Sequence, residues 1–178
     1  ARRLADLLAD VGLARVVLGG HSDGGSIALL QPTQAGPGRV AVAAVVSMSA
    51  HVMVEDVTVA AIRALRFPAG GRVRRGLARH HDHAGALIDA WTEVWLSERF
   101  RSWTIDAELS AVRCPTLIIQ GRDDRYGTIE QVERLRVGLS SSTVETVLLE
   151  GVDHWPHREA ADAVITALEG FLGRHCPS

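Results

Sequence analysis

The chain has 178 residues, 47% hydrophobic and 22% charged, enough for one domain with a sizeable core. A formal net charge of −2 leaves no electrostatic footprint for nucleic acid or an anionic membrane, and no apolar run is long enough to span a bilayer. Cys114 and Cys176 follow no pairing pattern and no signal peptide is visible, so the expected compartment is the reduced cytoplasm.

Residues 1–13 carry Leu4, Leu7, Leu8 and Val11 at helical spacing, with Gly12 near the end. A strand follows from Arg15 to Gly19, then a helix from Asp23 to Leu30, stopped by Pro32 and the loop Gly36-Pro37-Gly38. Val40 to Ser47 is almost wholly apolar and valine-rich, as a parallel strand covered on both faces should be. From about His51 to Val112 the texture changes. This stretch holds three of the four tryptophans, an arginine-rich run from Arg72 to Arg79, and helical patterns at Ile62-Ala64-Leu65-Phe67 and Leu87-Trp91-Val94-Trp95. Pro68 and Gly70-Gly71 end the first of these. The α/β pattern then resumes with a strand over Thr116–Gln120, a helix near Ile129–Leu139, a strand over Thr143–Leu149 and a closing helix over Glu159–Leu172. The expected organisation is a core segment over 1–50, a helical lid over 51–112 and a second core segment over 113–178.

Chemistry concentrates at three places. Gly20-His21-Ser22-Asp23-Gly24 sits between a strand and a helix, the pattern of a nucleophile elbow. A serine at the tip of so sharp a turn needs a strained backbone, and side chains two positions before and after it are expected to collide. Gly25 leaves room for the helix to approach the sheet. The turn raises the Ser22 hydroxyl above the sheet and sets the Asp23 N–H at a helix start, where it can stabilise an oxyanion. The strand Thr116–Gln120 ends in Gly121-Arg122-Asp123-Asp124, and the last strand runs into Gly151-Val152-Asp153-His154-Trp155. Functional groups of an open parallel sheet gather beyond such carboxyl ends. Serine, acid, histidine is also the chain order of hydrolase triads on this kind of sheet.

The pieces GHSDGGSIAL, CPTLIIQGRDD and EGVDHWPHRE resemble the α/β-hydrolase fold family, above all its lid-bearing esterases and carbon–carbon-bond hydrolases. The resemblance implies Ser22 as nucleophile, His154 as general base, Asp124 as the acid that holds the imidazole, and the Asp23 N–H as an oxyanion donor. Family spacing favours Asp124 over Asp123 and His154 over His157. Around Ser22, the residues His21, His51, Met53, Trp91, Trp95 and Trp155 are expected to line a small-molecule substrate pocket, while Asp153 is read as a solvated loop residue and His21 also as a packing neighbour of the elbow. The chemistry needs no metal or organic cofactor. His80-His81-Asp82-His83 lacks metal-ligand spacing and reads as a polar surface, as do Arg72, Arg74, Arg75 and Arg79.

Family members carry earlier strands and, after the third, a loop with a second oxyanion N–H. No segment here matches these. The expectation is therefore the C-terminal portion of the α/β fold, about four parallel strands with an inserted lid, whose open edge along Arg15–Gly19 offers a route to homo-oligomers. Three activities fit: hydrolysis of an ester, thioester or activated carbonyl; cleavage of a carbon–carbon bond in a ring-cleavage product; or binding and assembly by a catalytically impaired fragment.

Overall fold

Four apolar runs pair as parallel strands in the order β1-β2-β3-β4: β1 (Arg15–His21), β2 (Ala41–Met48), β3 (Thr116–Gly121) and β4 (Val144–Leu149). The computed structural model describes residues 2–33, 40–66 and 71–177. The expected turn at Gly36-Pro37-Gly38, the stop at Phe67, Pro68 and Gly70, and the side chain of Arg72 lie outside the described residues.

The first compact unit comprises residues 1–52 and 105–178 and holds the whole described sheet. Every residue of β3 is buried, as an interior strand covered on both faces requires. Ala44 and Val46 of β2 and Leu117 and Ile119 of β3 point to one face by their period of two. There they meet Val164 and Phe171 of α9 (Ala161–His175). Phe171 is completely buried, and its removal to alanine would cost about 3–5 kcal/mol. Strand β1 alternates in burial and leaves Val17 40% exposed at one end of the described sheet. Its register slips by one residue between Val16 and Val17, a bulge with no mark in the apolar run.

Helices fill the connections of this unit: α1 (Arg2–Asp10), α2 (Asp23–Leu30), the four-residue α6 (Asp106–Leu109), α7 (Ile129–Gly138) and the four-residue α8 (Pro156–Glu159). Thr128 caps α7 by accepting the Glu130 N–H. The closing helix differs from expectation. The chain bends at Ala160, with φ −140°, and separates α8 from α9, because Pro156 opens its own short turn.

The second compact unit is Met53–Thr104. It contains α3 (Asp56–Arg66), α4 (Gly71–Leu77), α5 (Ala84–Leu96) and a 3₁₀ turn at Glu98–Phe100. Trp95 packs edge-on against Phe100 and Trp103. Leu65, Val73, Leu77, Leu87, Ile88 and Trp91 line a wholly apolar cavity of about 340 Å³. Arg74 pairs with Asp89 on the exposed surface of this unit. His51 and Val52, and the stretch from Ile105, belong to the sheet unit. They are tied there by the Ile105 N–H to the Val52 carbonyl (2.9 Å) and the Val52 N–H to Gln131 Oε1 (2.8 Å).

Candidate active site

Between β1 and α2 the chain turns through Ser22, whose φ of 56° is a left-handed conformation that costs a non-glycine residue energy. The glycines around it divide the steric work unequally. A Cβ on Gly20 would lie 2.0 Å from the Gly24 carbonyl oxygen, so only glycine fits. A Cβ on Gly24 would meet nothing within 4 Å, contrary to the expected symmetrical clash, because the Gly24 backbone is the surface that Gly20 touches. At Gly25 a Cβ would come within 2.8 Å of Ala50 Cβ, just beyond β2, and 3.3 Å of Ser47 Oγ in it, so glycine allows the close approach of α2.

The Ser22 side chain makes no capping bond to its helix. Its Oγ lies 3.0 Å from His154 Nε2, across 132 residues of sequence. The other imidazole nitrogen, Nδ1, is 2.8 Å from Asp124 Oδ2 and 3.0 Å from Oδ1. A carboxylate only accepts, so Nδ1 carries the proton and Nε2 is left to accept from the Ser22 hydroxyl. Asp124 and His154 are both buried. Asp124 Oδ1 accepts the Tyr126 N–H at 2.7 Å and the Gly127 N–H at 3.3 Å, folding the acid turn around its own carboxylate. Oδ2 accepts from Gln120 Nε2 at 2.8 Å. Asp123 is exposed, and its N–H bonds the Val152 carbonyl instead. Asp23 is the first residue of α2. The set can carry a hydroxyl proton to an imidazole whose cation faces a fixed carboxylate.

Several neighbours surround His154. Tyr126 stands at 4.6 Å between ring centroids, His21 at 4.8 Å, Trp155 at 5.4 Å and His51 at 5.8 Å. His21 does more than pack: its Nε2 donates to the His154 carbonyl at 2.6 Å. Burial holds its imidazole below the usual histidine range, against the opposing pull of that hydrogen bond. His157 is exposed and meets the ring of His21 at 4.8 Å between centroids. Met53, Trp91 and Trp95 belong to the second unit. Met53 bridges to Thr104, Trp91 lines the apolar cavity, and Trp95 is buried in its aromatic cluster.

The loop that carries His154 is pinned by charge. Contrary to the expectation of a solvated residue, Asp153 accepts the Arg125 N–H at 3.0 Å and pairs with the Arg125 side chain. Burial works to raise its carboxyl, but the bonds from Arg125 outweigh it and hold the group below the usual range. Glu159 accepts the N–H of Asp153 at 2.9 Å and that of Trp155 at 3.2 Å, gripping the loop on both sides of His154. A Cβ on Gly121 would sit 2.2 Å from the Val152 carbonyl oxygen, so the acid and histidine loops cross in direct backbone contact. Gln120, Arg125 and Glu159 escape a reading of the sequence, where only their nearness to the acid and histidine motifs marks them.

A serine held at a strained strand-to-helix turn of a parallel sheet, with acid and histidine at the ends of later strands, defines a class of α/β hydrolytic folds. The chain belongs to the alpha/beta hydrolase family, whose profile matches residues 1–167. A Haemophilus influenzae protein described as "Putative esterase/lipase" is 35% identical over 71 residues, which is 40% of this chain and 24% of that protein. Among solved structures, a bacterial membrane phospholipase A superposes with a TM-score of 0.73 at 22% identity, covering 99% of this chain and 63% of its own. The meta-cleavage product hydrolase of Pseudomonas fluorescens IP01 gives 0.68 at 18% identity, over 94% of this chain and 68% of that one. The enol-lactonase of Burkholderia xenovorans LB400 gives 0.66 at 17%, over 96% and 70%. The chain thus spans under two thirds of the phospholipase and about a quarter of the Haemophilus protein. Among the described residues no helix is long and apolar enough to cross a membrane.

Proposed function

We propose that this chain carries the nucleophile, acid and base of a serine hydrolase acting on an ester, thioester or related activated carbonyl. The observation that carries the reading is the continuous chain Ser22 Oγ–His154 Nε2 at 3.0 Å and His154 Nδ1–Asp124 Oδ2 at 2.8 Å. In the first step His154 Nε2 takes the hydroxyl proton while Ser22 Oγ bonds to the carbonyl carbon. The carbonyl oxygen becomes an oxyanion that the Asp23 N–H stabilises at the start of α2. Asp124 keeps the proton on Nδ1 and faces the imidazolium as it forms. His154 then gives its proton to the leaving group, and the acyl-serine is hydrolysed by a water that the same imidazole deprotonates.

The test is covalent. A fluorophosphonate probe should label the protein on Ser22, and Ser22→Ala should abolish labelling. Label that persists in the alanine variant would remove Ser22 from its role. Turnover of a chromogenic dienoic ring-cleavage product with no turnover of p-nitrophenyl esters would move the activity to carbon–carbon cleavage on the same three residues.

A further inference from the structure

Gln120 occupies the penultimate position of β3 and is 2% exposed, too deep for an amide without partners. Its Nε2 lies 2.8 Å from Asp124 Oδ2, with the Gly127 carbonyl at 3.5 Å. Only the nitrogen end of the amide can face a carboxylate and a carbonyl, so the orientation of the side chain is settled by chemistry. Asp124 therefore has a donor on each oxygen besides His154: the turn's own N–H groups on Oδ1 and Gln120 on Oδ2. Nδ1 sits against both oxygens, at 2.8 and 3.0 Å, so without the second donor only the Oδ1 side is held and the carboxylate can pivot about its terminal torsion and turn the imidazole with it.

We propose that Gln120 is a positioning residue for the hydrolysis reaction, locking the Asp124 carboxylate so that His154 meets Ser22 in one geometry. The proposal rests on the serine-hydrolase reading above. Gln120 acts through Asp124 and touches no reacting atom. Its loss should therefore lower kcat and leave KM nearly unchanged, because a carboxylate free to pivot spends part of its time with the imidazole turned away from Ser22.

The variants are Gln120→Met, which keeps length and burial without the donor, and Gln120→Glu, which keeps shape and can donate only when protonated. A second carboxyl within hydrogen-bond reach of Asp124 makes a pair that cannot easily lose both protons. The retained proton lets the introduced carboxyl donate to Asp124 in place of the amide, until rising pH strips it and leaves two facing anions. Asp124, His154, His21, His51, Tyr126 and the Arg125–Asp153 pair surround the site in the wild type and in both variants, so the pH profile of Gln120→Glu is read against those of the wild type and Gln120→Met, which lack the added carboxyl. Gln120→Met should lower kcat by about 10- to 100-fold, the loss of a hydrogen bond to a charged group. Gln120→Glu should recover most of it at the acidic end of the active range and lose it on the alkaline side. The proton NMR signal of His154 Nδ1–H reads the same contact without turnover: sharp and far downfield in the wild type, broadened or lost in Gln120→Met, restored in Gln120→Glu at low pH. Wild-type kcat in Gln120→Met, or a Gln120→Glu variant that tracks Gln120→Met at every pH, would overturn the proposal. A wild type with this signal but no fluorophosphonate labelling of Ser22 and no turnover of either p-nitrophenyl esters or a dienoic ring-cleavage product, with the signal lost in Gln120→Met, would sink the hydrolase reading and leave Gln120's hold on Asp124 standing.

Discussion

His21 and His154 are joined through the backbone: His21 Nε2 donates to the His154 carbonyl at 2.6 Å. Since Ser22 Oγ faces the ring of the same histidine at 3.0 Å, two consecutive elbow residues hold one loop residue, one by its carbonyl and one by its imidazole. That bracket ties the serine–histidine distance to the main chain of both partners. His21→Gln places an amide donor near the same point and should retain most of the activity. His21→Ala should lose about tenfold in kcat through looser geometry, with KM little changed. Steady-state kinetics of the two variants decide it; equal losses in both would mean that the donor is irrelevant.

The same residue makes stability depend on pH. Burial lowers the His21 pKa in the folded protein below its ordinary 6.5, so the unfolded chain binds the proton more readily. The sign follows directly. The contribution is intact above pH 6.5 and is lost as pH falls from there through the folded value. Urea unfolding at about pH 7.5 and about pH 5.5 should show a loss for the wild type that is smaller in His21→Gln. An equal loss in both would place the acid sensitivity elsewhere.

The adjacent aspartates should behave very differently. Asp124→Asn would let an amide face Nδ1 and favour the wrong tautomer, costing on the order of 10⁴ in kcat as triad acids do elsewhere. Asp123 is exposed, and Asp123→Asn should stay within about 0.5 kcal/mol in stability and leave kcat nearly unchanged. The reverse ranking in one ester assay would move the acid by one residue.

Glu159 should matter beyond its own position. It accepts the N–H groups on either side of His154, at 2.9 and 3.2 Å. Glu159→Ala should destabilise the protein by about 1 kcal/mol and slow fluorophosphonate labelling of Ser22. Unaltered labelling with lowered Tm would mean that the loop is held without it.

The elbow glycines offer a steric test. Gly20→Ala would drive a methyl group to 2.0 Å from the Gly24 carbonyl oxygen and should abolish soluble folded protein. Gly24→Ala meets open space within α2, where alanine is the better helix former, and should be neutral or stabilising by up to about 1 kcal/mol. Thermal unfolding of the two variants separates them.

What can be read from the sequence follows the range of the forces involved. Strands β2 and β3 are interior, so their apolar runs announce them, and their observed limits lie within one residue of those expected. The apolar run Val16-Val17-Leu18 of β1 is equally local, but its alternating burial and its register shift between Val16 and Val17 depend on pairing with β2 and leave no trace in the chain. Ser22, Asp124 and His154 are legible because the turns that expose them need particular neighbours. Gln120 is hidden because β3 is buried along its whole length, and a polar residue there has meaning only once its partner four residues on is known. The bond from His21 spans 133 residues, and the tie of Arg125 to Asp153 joins two loops, so neither shows in local pattern.

The ends of the Met53–Thr104 unit run side by side. Met53 bridges to Thr104, the Val54 N–H reaches the Trp103 carbonyl at 3.3 Å, and just outside them the Ile105 N–H bonds to Val52 at 2.9 Å. A segment that leaves and returns at one point brings its own ends together, and the closure cost it imposes on the sheet unit grows only slowly with its length. Strand register and the spacing of Ser22, Asp124 and His154 are settled on the other side of that neck. Residues 53–104 are therefore an exchangeable cassette: a graft cut between Val52 and Ile105 can replace the whole helical unit and leave the strand register and the spacing of Ser22, Asp124 and His154 as they are.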